Sequence, residues 1–162
     1  MEEMVDIIDE NDNAVGKAIW EDAVKNKLLR RSVRIFILNS KREMLLQERS
    51  RKVKIDPGLW TSSATGSVIS GEKYEEAAQR ELLEEVGIKT TLNFLFKIRQ
   101  NDSICAVFEG FYDGKIKPDW EVEKLEFVKI DKIKEEIENN NRSFTDGFKK
   151  SFKKYLEIKG IK

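Results

Sequence analysis

Hydrophobic residues along the chain fall mostly into short runs, which predicts a protein rich in β-strands. Two such runs, at 4–8 and 14–20, flank the turn-forming cluster 9–13 and predict an N-terminal β-hairpin. A second hairpin is expected where the run 32–38 is followed closely by the run 43–48. Further short strands are predicted at 59–61, 67–69, 90–99, 104–111 and 123–130, with one more directly after the turn 112–115.

Helical spacing of apolar residues predicts the remaining elements. Helices are expected at 21–29, from Tyr74 through the acidic run 80–85, at 131–138 with Asp131 as the N-cap, and at 143–158. The last of these carries an aromatic stripe that is more typical of a core-facing side than of a ligand site: Phe144, Phe148, Phe152 and Tyr155. Because strands and helices interleave without strict alternation, we predict a single α/β domain over 1–162, with a mixed β-sheet between helices.

Charge and composition exclude several classes of function. Lys and Arg number 30 and Asp and Glu number 30, so no net charge attracts the chain to nucleic acid or to a membrane. The lack of histidine excludes His-based catalytic triads, the usual zinc sites and a histidine general base. The single cysteine, Cys105, excludes an internal disulfide and fits a reducing compartment. With no N-terminal apolar segment and no long apolar run, we expect a soluble, cytoplasmic protein.

Three glutamates on one predicted helical turn are the strongest candidates for chemistry. Glu81, Glu84 and Glu85 stand at positions i, i+3 and i+4, which places their carboxylates on one face. Like charges at this spacing repel by a few tenths of a kcal/mol per pair, so packing alone does not favour them. Such a cluster is either a solvated acidic face or a site for a hard divalent cation such as Mg²⁺.

The residues around these glutamates resemble the Nudix box, with every position of the motif present between 66 and 88: Gly66, Glu72, Arg80, Glu81, Glu84, Glu85 and Gly87. The resemblance extends more weakly from about residue 6 to residue 130. It implies the same α/β/α sandwich, Mg²⁺ or Mn²⁺ as the cofactor, and hydrolysis of a diphosphate linkage in a nucleoside diphosphate derivative or nucleotide. Gly87 also follows the helix where a left-handed glycine would end it.

The resemblance also implies roles for individual residues. The three glutamates and the Gly66 carbonyl would be metal ligands, with Glu81, Glu84 and Arg80 forming the catalytic set. Glu84 is favoured within the box as general base, although the base differs among family members. Arg80 would act as an internal counterion that orients the glutamates and pairs with Glu72. A further metal ligand from outside the box is expected, with Glu121 ahead of its neighbour Glu123.

Residues that could contact the substrate are less specific. Arg49, which follows the strand 43–48, could reach a phosphate, as could Arg31 or its neighbour Arg30; the alternative is solvated arginines. Trp60 could stack on a base, although a core role is the simpler interpretation. The expected partner is a small nucleotide or diphosphate, with no nucleic acid and no membrane, and a homodimer is left open.

One branch of the same family, which includes isopentenyl-diphosphate isomerase, resembles this chain at 6–18, 29–33 and 57–63. The isomerase requires a Cys where this chain has Thr65 and a metal-binding His where it has Ser67, and the stretch 101–105 lacks the two glutamates that the isomerase places there. Without these groups, no side chain could protonate an alkene. A hydrolase is therefore predicted, with an isomerase or an inactive nucleotide-binding module as the alternatives.

Overall fold

The computed structural model describes residues 2–162. Within that range the chain forms one nine-stranded sheet and four helices. In chain order the elements are β1 (Met4–Ile8), β2 (Ala14–Ile19), α1 (Trp20–Lys25), β3 (Arg30–Leu38), β4 (Glu43–Arg49), β5 (Trp60–Thr61), β6 (Ala64–Ser67), α2 (Tyr74–Val86), β7 (Leu92–Gln100), β8 (Ser103–Phe111), β9 (Val122–Lys129), α3 (Ile130–Glu138) and α4 (Asp146–Lys159).

The sheet is built around β3. This strand pairs in parallel with β8 along its whole length and antiparallel with β6, whereas it meets β1 and β4 at single positions near its two ends. β4 in turn pairs with β5 and β9, and β7 pairs with β8. One parallel pair among antiparallel neighbours makes the sheet mixed, which confirms the predicted architecture.

The two faces of the sheet carry separate hydrophobic cores. Because side chains alternate along a strand, Val33, Ile35 and Ile37 of β3 pack on one side with α2, while Phe36 and Leu38 pack on the other. The second core holds the predicted aromatic stripe of α4 together with Ile133 of α3. The sheet therefore lies between helices, as an α/β/α sandwich.

Several predicted elements differ from the structure because their partners are distant in sequence. The hairpin 4–20 is confirmed, since β1 and β2 pair directly. The hairpin expected from 32–38 and 43–48 forms only at its turn, where Leu38 pairs antiparallel with Met44, because β3 gives its long edges to β6 and β8. The strand expected at 67–69 instead spans Ala64–Ser67, where it pairs with β3.

Three further corrections concern one missing strand and the ends of two helices. Residues 112–121 lie within the described chain and form no strand; Ile116 packs against the first core from a loop. The N-cap of α3 is Lys129, so Asp131 lies in the first turn and does not cap it. α1 ends at Lys25, four residues early, because the chain then turns and Lys27 has a positive φ of 53°.

Among the described helices, none has the length and apolar character needed to cross a membrane.

Candidate active site

Helix α2 presents the predicted glutamates and ends where its sequence predicts. Its apolar side, with Ala77, Ala78, Leu82 and Val86, is fully buried against the first core. At the far end, Gly87 adopts a left-handed conformation with φ 69°, and its N–H donates to the Leu83 carbonyl. The buried side fixes the rotation of α2 about its axis, so the glutamates lie along the edge of this contact.

Arg80 connects the acidic side chains of the box. Its Nε lies 2.8 Å from Glu72 Oε2, and its Nη1 lies 2.9 Å from Glu81 Oε1 and 3.4 Å from Glu84 Oε2. Nη2 donates to the carbonyl of Ser67 at 3.0 Å. The guanidinium is thus engaged by protein acceptors, which supports an orienting role over direct contact with a phosphate.

Gly66 allows Glu81 to approach the β6 backbone. A Cβ atom added at position 66 would lie only 2.2 Å from the Glu81 carboxyl carbon, a distance that no side chain could occupy. The pairing of Gly66 with Val33 of β3 fixes the glycine in place. The carboxylate of Glu81 therefore rests against the peptide whose carbonyl is the expected metal ligand.

Glu85 is the most deeply buried of the three glutamates, with 2% of its surface exposed. Gln47 of β4 donates from Nε2 to Glu85 Oε1 at 2.8 Å. Within residues 2–162, Glu85 Oε2 has no hydrogen-bond partner. An unpaired carboxylate oxygen in the interior is costly, so this atom is suited to a ligand that supplies positive charge or a proton.

Glu121 joins these residues from the loop before β9. The Asp119 N–H donates to the Glu85 carbonyl, the Glu121 N–H donates to Asp119 Oδ1, and the Ser50 N–H donates to the Glu121 carbonyl. The loop is thereby tied to the end of α2 and to the end of β4. We call Glu81, Glu84, Glu85 and Glu121 the carboxylate cluster.

The negative charge of the carboxylate cluster is only partly compensated, because Arg80 pairs with Glu81 and Glu84 alone. Burial, together with the charge of Glu81, raises the pKa of Glu85 well above its usual range. Burial also raises the pKa of Glu81, although Arg80 opposes this shift. The pKa of Glu121 is raised to about 7 by burial and by the charges of Asp119 and Glu81. One arginine is insufficient for these carboxylates, so an added cation would stabilise their ionised forms.

The donor set fits a hard divalent cation. Carboxylate oxygens and a backbone carbonyl are the ligands preferred by Mg²⁺ and Mn²⁺, and the unpartnered Oε2 of Glu85 offers one such oxygen. In residues 2–162 no three side chains of the ligand-forming types are already arranged around one point. Because Arg80 pairs with Glu81 and Glu84, binding a cation would require these two carboxylates to turn partly away from the guanidinium.

A cleft of about 750 Å³ opens beside the carboxylate cluster. Gly66, Glu81, Glu84 and Glu121 line it, whereas Glu85 lies behind them. Arg49 also lines the cleft, as predicted for a residue that could reach a phosphate, and its Nε donates to the Ile55 carbonyl at 2.8 Å. The cleft has the size of a site for a small molecule.

Two residues proposed to contact substrate lie elsewhere. Arg31 points away from the cleft, because its side chain pairs with Asp12 at 2.7 Å and with Asp6 at 3.4 Å. Trp60 packs against the second core, and Arg142 stacks over its ring at 4.3 Å. Neither Arg31 nor Trp60 lines the cleft, so the structure gives no support for substrate contacts by these residues, and their roles stay predictions.

The sequence left Glu123 as an alternative to Glu121 and Arg30 as an alternative to Arg31, and their positions relative to the cleft differ. Glu123 is exposed on β9 and does not line the cleft, whereas its rival Glu121 does. Arg30 lines the cleft, unlike Arg31. Their neighbour along the same strand, Arg34, lines it as well.

Sequence reasoning missed Arg34, Gln47 and Trp120. Trp120 lines the cleft and leaves 66% of its surface exposed. The available signals were an arginine inside the apolar run 32–38 and a glutamine inside the run 43–48, because polar residues within buried strands require partners.

Comparison with known proteins agrees with the geometry. A family model for the NUDIX domain matches residues 28–148. An isopentenyl-diphosphate Delta-isomerase of Pectobacterium atrosepticum is 30% identical over 157 residues, covering 90% of this chain and 87% of that protein. A prenyl-diphosphate phosphatase of Methanosarcina mazei is 29% identical over 167 residues, covering 95% and 98%.

A solved structure shows the same fold. The crystal structure of DR0079 from Deinococcus radiodurans superposes with a TM-score of 0.84 at 22% identity, covering 94% of this chain and 98% of that one. Together with the family match, these findings place the chain: it belongs to the Nudix family of hydrolases.

Proposed function

We propose that the protein hydrolyses a diphosphate linkage in a nucleoside diphosphate derivative or nucleotide, with Mg²⁺ or Mn²⁺ as the cofactor. The observation that carries this proposal is the carboxylate cluster on the cleft, where closely spaced glutamates are only partly compensated by Arg80. A diphosphate is itself anionic, so it would require a cation between it and these carboxylates.

The roles follow from position and exposure. Glu81, Glu84, Glu85, Glu121 and the Gly66 carbonyl would hold the cation, which when bound supplies a Lewis acid for phosphoryl oxygens and a water of lowered pKa. Arg80 keeps Glu81 and Glu84 oriented. Arg49, at the end of β4, lines the cleft and offers positive charge to a phosphate.

Two carboxylates on the cleft could accept the proton of the attacking water. Glu84 is the more exposed, with 53% of its side chain open to solvent. The pKa of Glu121 is raised to about 7, which suits a general base near neutral pH. We assign the base to Glu84, as the box favours, and the pH profile of the Glu84→Gln variant separates it from Glu121.

The nucleoside portion is supported by aromatic surface at the mouth of the cleft. Trp120 is largely exposed there, next to Glu121, and Trp20 lines the cleft while its Nε1 donates to Ser67 Oγ at 2.9 Å. An exposed tryptophan offers a flat apolar face on which a nucleobase could stack.

Prenyl diphosphates form the second candidate substrate class, because the names of two similar proteins refer to them. Hydrolysis of these compounds would use the same carboxylate cluster. Isomerisation of an alkene would need a proton donor as well. At the positions where the isomerase requires a Cys and a His, this cleft has Thr65 and Ser67. The thiol of Cys105 is fully buried outside the cleft. We therefore favour hydrolysis over isomerisation.

A substrate panel tests the proposal. Phosphate and nucleoside monophosphate release would be measured with Mg²⁺, with Mn²⁺ and with EDTA, for nucleoside di- and triphosphates, sugar nucleotides, dinucleotides and isopentenyl diphosphate. We expect cation-dependent hydrolysis of at least one nucleotide and no isomerised product from isopentenyl diphosphate. Isomerisation without hydrolysis would support the isomerase instead, and binding of nucleotide with no turnover would indicate an inactive module.

The single cysteine fits a reducing, cytoplasmic location, and the balance of acidic and basic residues favours a small-molecule substrate over nucleic acid. A homodimer is compatible with the proposal, and sedimentation of the purified protein would determine the oligomeric state.

A further inference from the structure

Arg34 is a buried arginine at the base of the cleft. It lies in the middle of β3, between the core residues Val33 and Ile35, and only 6% of its surface is exposed. Its side chain belongs to the face of the sheet that carries α4, because it alternates with those of Val33 and Ile35. Arg34 nevertheless lines the same cleft as Glu81 and Glu84, which come from α2 on the other face.

The charge of Arg34 is not neutralised by the protein. Nη1 donates to Thr61 Oγ1 at 2.8 Å and to Ser62 Oγ at 3.1 Å, both of which are neutral hydroxyls. Nε is buried without a partner, and among the described residues no carboxylate lies within 4.0 Å of the guanidinium. Burial lowers the pKa of Arg34, the neighbouring side chain of Cys105 opposes this shift, and the smaller influence of Asp56 is offset by Arg49. A buried cation in this condition is costly unless a ligand pairs with it.

A second arginine, partly buried, has the carboxylate partners that Arg34 lacks. Arg142 lies at 2.8 Å from Glu126 and at 2.6 Å from Glu136, so its charge is neutralised twice. Its partners hold it between β9 and α3, next to Trp60. Arg34 has no such pairing, although it is at least as deeply buried.

The surroundings of Arg34 open onto the cleft, which Thr61, Gln100 and Gly147 also line. A Cβ atom added to Gly147 of α4 would lie 2.7 Å from Arg34 Nη2 and 2.9 Å from Gln100 Oε1. Glycine at this position therefore lets α4 approach the guanidinium and the Gln100 amide closely, and a side chain there would displace them. Gln100 Oε1 is itself buried without a hydrogen-bond partner in the described residues. We call Arg34, Thr61, Gln100 and Gly147 the arginine pocket.

We propose that the arginine pocket binds an anionic oxygen group, a carboxylate or a phosphate, at the end of the substrate remote from the hydrolysed diphosphate. The part of this inference that concerns the substrate rests on the proposed function, because the diphosphate end is assigned to the carboxylate cluster. Oxygen anions match the fork of a guanidinium and would neutralise its charge. A prenyl chain at the same place would leave the cation unpaired, so the pocket selects against prenyl diphosphates.

Anion binding can be measured without turnover. In EDTA, inorganic phosphate and acetate would be titrated against wild type, Arg34→Gln, Arg34→Lys and Lys132→Gln, which removes an exposed positive charge on α3. We expect one of the two anions to raise the Tm of wild type by about 3 °C at tenfold its Kd. Lys132→Gln should match wild type, Arg34→Lys should retain part of the shift, and Arg34→Gln should lose it.

The anion that raises the Tm shows which chemical group of the substrate the arginine pocket binds. A shift with phosphate alone points to a phosphoryl group on the substrate, and a shift with acetate points to a carboxylate. Equal shifts in wild type and Arg34→Gln would overturn the proposal, because both would then reflect general exclusion of salt from the protein surface. If Arg34→Gln fails to fold, Gly147→Ala provides the same test by crowding Nη2 with the charge intact.

Matched substrates test the pocket during turnover. UDP-glucuronate and UDP-glucose differ at a carboxylate, and coenzyme A and its dephospho form differ at a phosphate. We expect wild type to prefer the member of one pair that carries the additional anionic group, and Arg34→Gln to lower kcat/KM for that member by about 10- to 100-fold while sparing its counterpart. Equal loss for both members would overturn the inference. Anion shifts that depend on Arg34 in a protein that hydrolyses nothing would instead contradict the proposed function alone.

Discussion

The two charged regions of the cleft are opposite in sign and alike in being incompletely compensated. In the carboxylate cluster Arg80 pairs with two of the four glutamates, and burial together with the charges of Asp119 and Glu81 raises the pKa of Glu121 to about 7. The arginine pocket holds one guanidinium that has only neutral hydroxyls as partners. Each region is therefore incomplete without a ligand, and the ligands they require carry opposite charges.

This difference describes the substrate that suits the cleft. A cation bound by the glutamates would join them to a diphosphate, and the arginine pocket would take an anionic group directly. Proteins retain uncompensated buried charge mainly at functional sites, because it lowers stability. The two regions should then respond differently to substitution: removing a glutamate should abolish turnover, and removing Arg34 should change substrate preference.

The largest expected effect is at the carboxylate cluster. Glu84→Gln and Glu85→Gln should each lower kcat by about 10²-fold or more, because the developing charge at phosphorus would lose the cation that these side chains are proposed to hold. Steady-state kinetics on the best substrate of the panel measures this loss. Glu75→Gln, which changes an exposed glutamate on the same helix, is the control and should keep wild-type turnover. Unchanged kcat in either cluster variant would show that the site is wrongly assigned.

Gly66→Ala should weaken activity through Glu81. The new Cβ would collide with the end of a flexible side chain, so Glu81 moves and the fold is preserved. We expect kcat to fall by about tenfold, with little change in Tm. Gly16→Ala meets only one atom, at 4.0 Å, and serves as the matched control. Full activity in Gly66→Ala would mean that the position of Glu81 does not matter.

Gly87→Val should lower the stability of the fold without changing catalysis by the folded protein. A β-branched residue tolerates the φ of 69° poorly, and its Cβ would approach Lys117 to 3.0 Å. Strain of about 1–2 kcal/mol should lower Tm by roughly 2–8 °C, with kcat of the folded fraction retained. Gly160→Val has the same φ and no atom within 4 Å, so it isolates the backbone strain from the crowding. A Tm equal to that of wild type would contradict the left-handed end of α2.

The smallest effect concerns pH and the cation. The pKa of Glu121 in the folded protein, about 7, lies above its ordinary value of 4.5, so its contribution to stability is complete below 4.5 and is lost as the pH rises through 7. In EDTA, Tm should therefore be lower at pH 8 than at pH 6, and Mg²⁺ should restore it at pH 8. Glu121→Gln should flatten this profile. An identical profile in the variant would remove Glu121 from the site.

The carboxylate cluster could be predicted because its signal is local. Glu81, Glu84 and Glu85 share one helical turn, and Gly87 marks where that helix ends, so spacing alone places them together. Glu121 was a candidate by family pattern, and the loop that ties it to α2 is visible only in the structure.

The remaining features depend on contacts between distant segments. β3 forms its long pairings with β6 and β8 and not with the adjacent β4, so the second hairpin was predicted from proximity in sequence alone. Arg31 was expected in the cleft, but Asp12 engages it across the N-terminal hairpin. Arg34 escaped notice because its pocket is assembled from β3, β5, β7 and α4.

A crystal structure with Mn²⁺ and a non-hydrolysable imidodiphosphate tests the central claim most directly, since anomalous scattering locates the cation. The account predicts Mn²⁺ bound by Glu81, Glu84 and Glu85, in contact with the diphosphate and the Gly66 carbonyl. Mn²⁺ and diphosphate bound elsewhere, with these carboxylates still paired only to Arg80 and Gln47, would contradict it.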